Sequence, residues 1–107
     1  MNLLFVCRQN QMRSRTAEAI YAAGGLHNVQ SAGIARSAKV KLTADLVQWA
    51  DMIFVMEEEQ EENIRENFPD AIGHREIIIL DIGDHYYFME PALVDLLKER
   101  IDPHLEP

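Results

Sequence analysis

The sequence predicts an α/β fold: a single domain over residues 1–107, built on a four-stranded parallel sheet with helices on both faces and a phosphate-binding loop after the first strand. Three observations predict it. Short apolar runs recur four times along the chain, each too short for a helix of its own. Between them lie stretches with helical caps, stops and apolar residues at helical spacing. The 107 residues, 48% apolar and 26% charged, suit one ordinary globular domain and leave little room for a second.

The elements follow in order. "NLLFV", residues 2–6, is a buried parallel strand. "RSRTAEAIYAAGG", 13–25, is a helix with Ala17, Ile20 and Tyr21 on one face and Gly24-Gly25 as its stop. "NVQSAG", 28–33, is a second strand ending in a glycine turn. "LTADLVQWA", 42–50, is a short helix capped by Thr43 and carrying Leu46, Val47 and Trp49, with Trp49 read as packing. "DMIFVM", 51–56, is the third strand. "EEEQEENIRENF", 57–68, is a polar helix held by Ile64 and Phe68 and ended by Pro69, its acidic face solvated. "REIIIL", 75–80, is the fourth strand, and 81–90 a loop. "PALVDLLKERI", 91–101, is the last helix, with Pro91 in its first turn and Leu93, Leu96, Leu97 and Ile101 facing inward.

Charge narrows the function classes. Eighteen acidic and 10 basic residues give a formal charge of −8. Such a chain weakly opposes non-specific binding to nucleic acid or anionic lipid, and it repels anionic substrates at long range. Any phosphate site must therefore be a local concentration of positive charge. Arg8, Arg13 and Arg15 supply one at the start of the chain, and Arg36, Lys39 and Lys41 follow the next loop. No apolar run approaches the length of a membrane span, and "MNLLFVC" reads as a core strand and not a signal peptide. The one cysteine has no internal disulfide partner, and the expected location is cytoplasmic. The four histidines are scattered, so neither a metal site nor a cofactor is expected.

In parallel sheets ligands bind outside the carboxyl ends of the strands. Cys7 stands at that end of the first strand, and Asp81 and Asp84 at that end of the fourth. Five residues separate Cys7 from Arg13. A strand-to-helix turn of this length can curl its N–H groups inward and, with the helix N-terminus, form an anion cradle. A thiol at its start is placed to act as a thiolate nucleophile. An arginine at its end can grip two oxygens of a tetrahedral oxyanion. Ser14 can donate its hydroxyl to the thiolate, and Asn10 suits a left-handed backbone position. Plainer readings compete. A lone cysteine after an apolar strand is often a small core hydrophobe, an arginine at a helix start is often solvated, and aspartates after a strand are often turn formers. The tyrosine pair 86–87 can be loop packing. The combination of turn position, Asn10 and Ser14 favours function.

"VCRQNQMRSRTAEA", 6–19, resembles the signature of the low-molecular-weight protein tyrosine phosphatase family. "SAGI", 31–34, resembles that family's Ser-Ala-Gly-Thr turn, "DMIFVME" its Asp-x-Ile-x-x-Met strand, and "DIGDHYYF" its late loop with Asp-Pro-Tyr. The resemblance runs nearly end to end, closest to a compact branch of the family. It implies that Cys7 is a nucleophile forming a phosphocysteine intermediate and that Arg13 stabilises the phosphoryl group. Asn10 then holds the loop's shape and Ser14 supports the thiolate. Asp84 is the general acid, ahead of Asp81, which orients the loop. Arg8, Gln9, Gln11 and Met12 complete the substrate loop, and Tyr86 and Tyr87 form an aromatic wall.

The departures have consequences. Gln9 replaces a glycine, Arg15 a proline, and His85 follows the acid. Met12 replaces a second cysteine and removes its protection against oxidation. Arg8 and Gln11 stand where apolar residues are typical, and the rim between "SAGI" and "DMIFVM" is short. The implied substrates are phosphotyrosine in a protein or a smaller phosphoester, such as a nucleotide or a phosphorylated RNA end. Two alternatives are a phosphocysteine phosphoryl carrier, which needs neither Arg13 nor an acid, and a phosphate-binding module with little turnover. Arsenate reduction typically uses further cysteines, which this chain lacks.

Overall fold

All four apolar runs become strands: β1 (Asn2–Cys7), β2 (Asn28–Gly33), β3 (Met52–Val55) and β4 (Ile77–Ile79). The structure is a computed structural model and describes residues 1–106. The helices are α1 (Arg13–Gly24), α2 (Ala44–Trp49), α3 (Glu58–Asn67), α4 (Pro69–Ile72) and α5 (Pro91–Leu105). The sheet is parallel throughout, in the order β2-β1-β3-β4. From β1 the chain moves to one side for β2, then returns to the other side for β3. The crevice at this change of direction opens above the carboxyl end of β1, where such sheets bind ligands.

β1 is central, and its alternating side chains supply both cores. Leu3, Phe5 and Cys7 join Ala17 of α1 and Leu93, Leu97 and Ile101 of α5. Leu4 and Val6 join Val47 of α2, Ile64 of α3 and Ala71 and Ile72 of α4. Phe5 stacks on Tyr21 and Phe54, with ring centroids 5.7 and 5.4 Å away. Burying a side chain of this size contributes about 1.5–3 kcal/mol. The expected helix ends hold at two places. Gly25 caps α1 with φ 70°, and Thr43 Oγ1 accepts from the Leu46 N–H at 3.2 Å.

α3 ends before Pro69, as expected, with Phe68 as its C-cap. Elsewhere the structure departs from expectation. Pro69 also opens a further helix, α4, because its fixed φ suits a first helical position. α5 continues past Ile101 and through Pro103 to Leu105. A proline so near the end forfeits a single backbone bond. β4 is shorter than the run 75–80. Arg75 instead binds the carbonyls of Gln48, Ala50 and Ala71, tying α2 and α4 together. Leu96 is only half-buried. Among the described residues no helix is long and apolar enough to cross a membrane.

Gly33 positions the loop after β1. It pairs with Cys7 across the sheet, and a Cβ there would lie 2.6 Å from Arg8 O, 2.7 Å from Ala38 Cβ and 2.9 Å from Asn10 N. The turn that follows donates from Ile34, Ala35 and Lys39 to the carbonyls of Cys7, Arg8 and Gln9, at 3.1, 2.9 and 3.0 Å. Gly33→Ala is therefore expected to cost about 2 kcal/mol of stability and to weaken phosphate binding by displacing the loop. Gly24→Ala, with nothing within 4 Å of the new methyl, is the control expected to leave both unchanged. Thermal unfolding with and without phosphate measures both effects.

Candidate active site

The loop from Cys7 to Arg13 is shaped by one left-handed residue, Asn10, at φ 56°. A non-glycine residue there costs about 1–2 kcal/mol, so contacts must hold it. They do. Asn10 is 1% exposed, and its Nδ2 donates to Ser14 Oγ and Ser31 Oγ, both at 2.8 Å. Ser31 in turn donates to Glu18 Oε1 at 2.8 Å. The Asn10 backbone N–H donates to Cys7 Sγ at 3.2 Å.

Ser14 Oγ lies 2.9 Å from Cys7 Sγ, and either atom can be the donor. After accepting from Asn10, the hydroxyl keeps its own proton to donate and a second lone pair to accept with. On the far side Asn10 donates to Ser31, and Ser31 to Glu18. The sulfur thus has one backbone donor, the Asn10 N–H, and one hydroxyl that can donate to it when it carries charge.

The helix end beside the thiol is unusual. α1 has no side-chain cap and no acidic residue in its first turn, which holds Arg13, Ser14 and Arg15. Cations at a helix N-terminus oppose the backbone dipole. Among the described residues no carbonyl accepts from the N–H groups of Gln9, Gln11 or Met12. An anion bound here would meet unpaired donors and a favourable dipole together.

Arg13 is buried (3% exposed) and held on one side only. Its Nη1 donates to Glu57 Oε1 and to the Ile82 carbonyl, both at 2.7 Å. Both Nη1 protons are thereby used. The Nε–Nη2 edge, which can make two parallel bonds to a phosphoryl group, makes no hydrogen bond among the described residues, and Asp84 is its ionic neighbour. Glu57 also caps α3: its carboxylate accepts from the Gln60 backbone, and Gln60 Oε1 accepts from the Glu57 N–H at 2.6 Å. The Arg13 hydrogen bond holds the Glu57 carboxyl below the usual carboxylate range, against the opposing pull of partial burial.

Asp84 reaches the same place from the end of β4. Its Oδ1 is 3.8 Å from Arg13 Nε, and its side chain is 69% exposed. A pocket of about 330 Å³ brings together Cys7, Gln9, Gln11, Met12, Arg13, Asp84, Tyr86 and Tyr87, with His85 beside them. Eight expected site residues thus share one cavity. Asn10 and Ser14 lie behind the thiol, fully buried. Arg8 is turned aside, its guanidinium paired with both oxygens of Glu59 at 2.7 and 2.8 Å or more. Asp81 lies outside the pocket and takes a left-handed turn at φ 56°.

Glu57, Ser31 and Glu18 carry contacts that pattern reasoning did not assign. The acidic run containing Glu57 looks like a solvated face, yet its first residue holds Arg13 and its third holds Arg8. Its position directly after an apolar strand, on the same sheet edge as Cys7, is the signal that marks it.

No family model and no curated protein sequence matches the chain. Solved structures do. Wzb from Vibrio vulnificus in complex with benzylphosphonate is 24% identical over 96% of this chain and 95% of its own, with a TM-score of 0.74. YwlE arginine phosphatase from Geobacillus stearothermophilus is 22% identical over 97% and 92%, with a TM-score of 0.72. The low-molecular-weight protein tyrosine phosphatase from T. tengcongensis is 20% identical over 92% and 91%, with a TM-score of 0.68. The sheet order and the loops after β1 and β4 thus sit on the low-molecular-weight protein tyrosine phosphatase fold.

Proposed function

We propose that the protein is a cysteine-dependent phosphatase that hydrolyses a phosphomonoester. The observation that carries this reading is the convergence of three groups on one pocket: the Cys7 thiol, the free edge of Arg13 and the Asp84 carboxyl. The phosphatases among the structural neighbours support it. Cys7 Sγ attacks phosphorus, forming an S–P bond as the P–O bond to the leaving group breaks. Asp84 gives its proton to the leaving oxygen. Water then attacks the phosphocysteine, the S–P bond breaks, and Asp84 takes the water proton. Arg13 and the loop N–H groups stabilise the charge on the transferring group in both steps.

The polar mouth, with Gln9, Gln11 and His85 beside the two tyrosines, accepts a phosphorylated residue on a protein or a smaller phosphoester. A cytoplasmic setting fits a nucleophile that must stay reduced. Steady-state assay across phosphotyrosine, phosphoarginine, nucleotide and RNA-end substrates separates these classes. Asp84→Asn is expected to lower kcat/KM for substrates with poor leaving groups by about 10²–10³-fold and for activated aryl phosphates far less. Equal losses on both would remove Asp84 from the role of acid.

A further inference from the structure

The loop that carries Asp84 is bracketed by two left-handed residues that are not glycine, Asp81 at φ 56° and Met89 at φ 60°. Such conformations persist where surrounding contacts over-determine them. At the first, Arg100 of α5 donates from Nη1 to the carbonyls of Leu80 and Asp81, the latter at 3.0 Å, while Arg13 takes the next carbonyl, Ile82. At the second, the Met89 N–H donates to Thr16 Oγ1 at 3.0 Å.

Thr16 is completely buried in the first turn of α1. Its hydroxyl also donates to the Met12 carbonyl at 2.7 Å. A threonine inside a helix commonly bonds back in this way and needs no second partner. Here the second partner comes from 73 residues away, so one hydroxyl joins the phosphate loop to the acid loop. Beside it the Arg15 guanidinium lies 5.0 Å from the centre of the Phe88 ring, a second grip on the same limb. Asp84 itself is exposed, and among the described residues its ion pair is the long one to Arg13. Its placement therefore depends on how the ends of its loop are held.

We propose that Thr16 is a positioning residue that fixes the acid loop against the phosphate loop, with Arg15 and Phe88 reinforcing it. This rests on the reading of Asp84 as the general acid. A general acid must come within about 3 Å of the leaving oxygen. A loop freed at Met89 presents the carboxyl there for less of the time. Binding of the phosphoryl group uses Cys7, Arg13 and the loop N–H groups, so it is spared.

Thr16→Val keeps the shape and removes both hydrogen bonds. It is expected to lower kcat/KM about 10-fold for an unactivated aryl or alkyl phosphate, with kcat/KM for nitrophenyl phosphate and vanadate affinity changed less than about twofold. Amide exchange across 85–89 should quicken, and Thr16→Ser should restore both exchange and kcat/KM. Phe88→Ala, at an exposed partner, should show the same selective loss at about threefold and keeps the test open if Thr16→Val folds poorly. If the wild type turns over but Thr16→Val keeps its leaving-group dependence and its loop protection, Thr16 has no positioning role. Failure of Thr16→Ser to rescue counts against it equally. A wild type that binds vanadate and hydrolyses nothing overturns the phosphatase reading instead. Unchanged exchange at 85–89 would then overturn the clamp as well.

Discussion

Cys7→Ser removes phosphoester hydrolysis by about 10⁵-fold or more, because a serine hydroxyl at this position has no base to activate it. The groups around the sulfur are the Asn10 N–H, a donor, and the Ser14 hydroxyl. Neither is a base that would take a proton from a serine. The cradle itself survives the change, since Asn10 is still held by Ser14 and Ser31. Phosphate affinity should therefore stay within a few-fold of wild type. Steady-state hydrolysis and phosphate titration on the same preparation check both halves. Undiminished turnover in Cys7→Ser would end the covalent mechanism. Retained binding, with a wild type that also fails to hydrolyse, would mark a binding module. A wild-type phosphocysteine that resists water but passes to a partner would mark a carrier.

Arg13→Lys follows, with an expected loss of about 10³-fold in kcat/KM. One guanidinium meets four demands here. Its Nη1 satisfies Glu57 and the Ile82 carbonyl, and its remaining edge faces the pocket. A lysine has one nitrogen and cannot hold Glu57 and the Ile82 carbonyl while gripping two phosphoryl oxygens. Glu57 then loses the partner that offsets its partial burial, and the carboxylate turns repulsive toward an incoming phosphate. Phosphate affinity should fall with kcat/KM, unlike in Cys7→Ser. A loss smaller than about tenfold would show that the loop N–H groups alone carry transition-state charge.

Much of this arrangement is legible in sequence because it depends on short-range order. Apolar runs and the stops between them place β1 to β4, and parallel topology brings Cys7 and Asp84 to one edge. Asn10 can be assigned its left-handed turn because its small amide side chain tolerates that region. What sequence conceals is side-chain partnership across the sheet. The family resemblance implies a place for Arg8 in the pocket, yet Glu59, 51 residues away, draws it aside. Glu57 is one of several glutamates in its run; its place at the end of β3 brings it to the right edge, but its pairing with Arg13 appears only in the tertiary structure. Pro69 is half legible. Proline marks the end of α3, but the same residue also opens α4, and burial of Ala71 and Ile72 holds that short helix in place.

The bare first turn of α1 has a further consequence. With two arginines and no cap, its positive end sets cations against the backbone dipole. Inorganic phosphate, the product of the proposed reaction, is the simplest anion that relieves this conflict. On that proposal, fold stability and product inhibition share one contact. A substitution that quiets the helix end, an aspartate cap at position 12 for instance, should stabilise the resting protein and blunt its grip on phosphate. The proposed catalysis depends on leaving that end unsatisfied between turnovers.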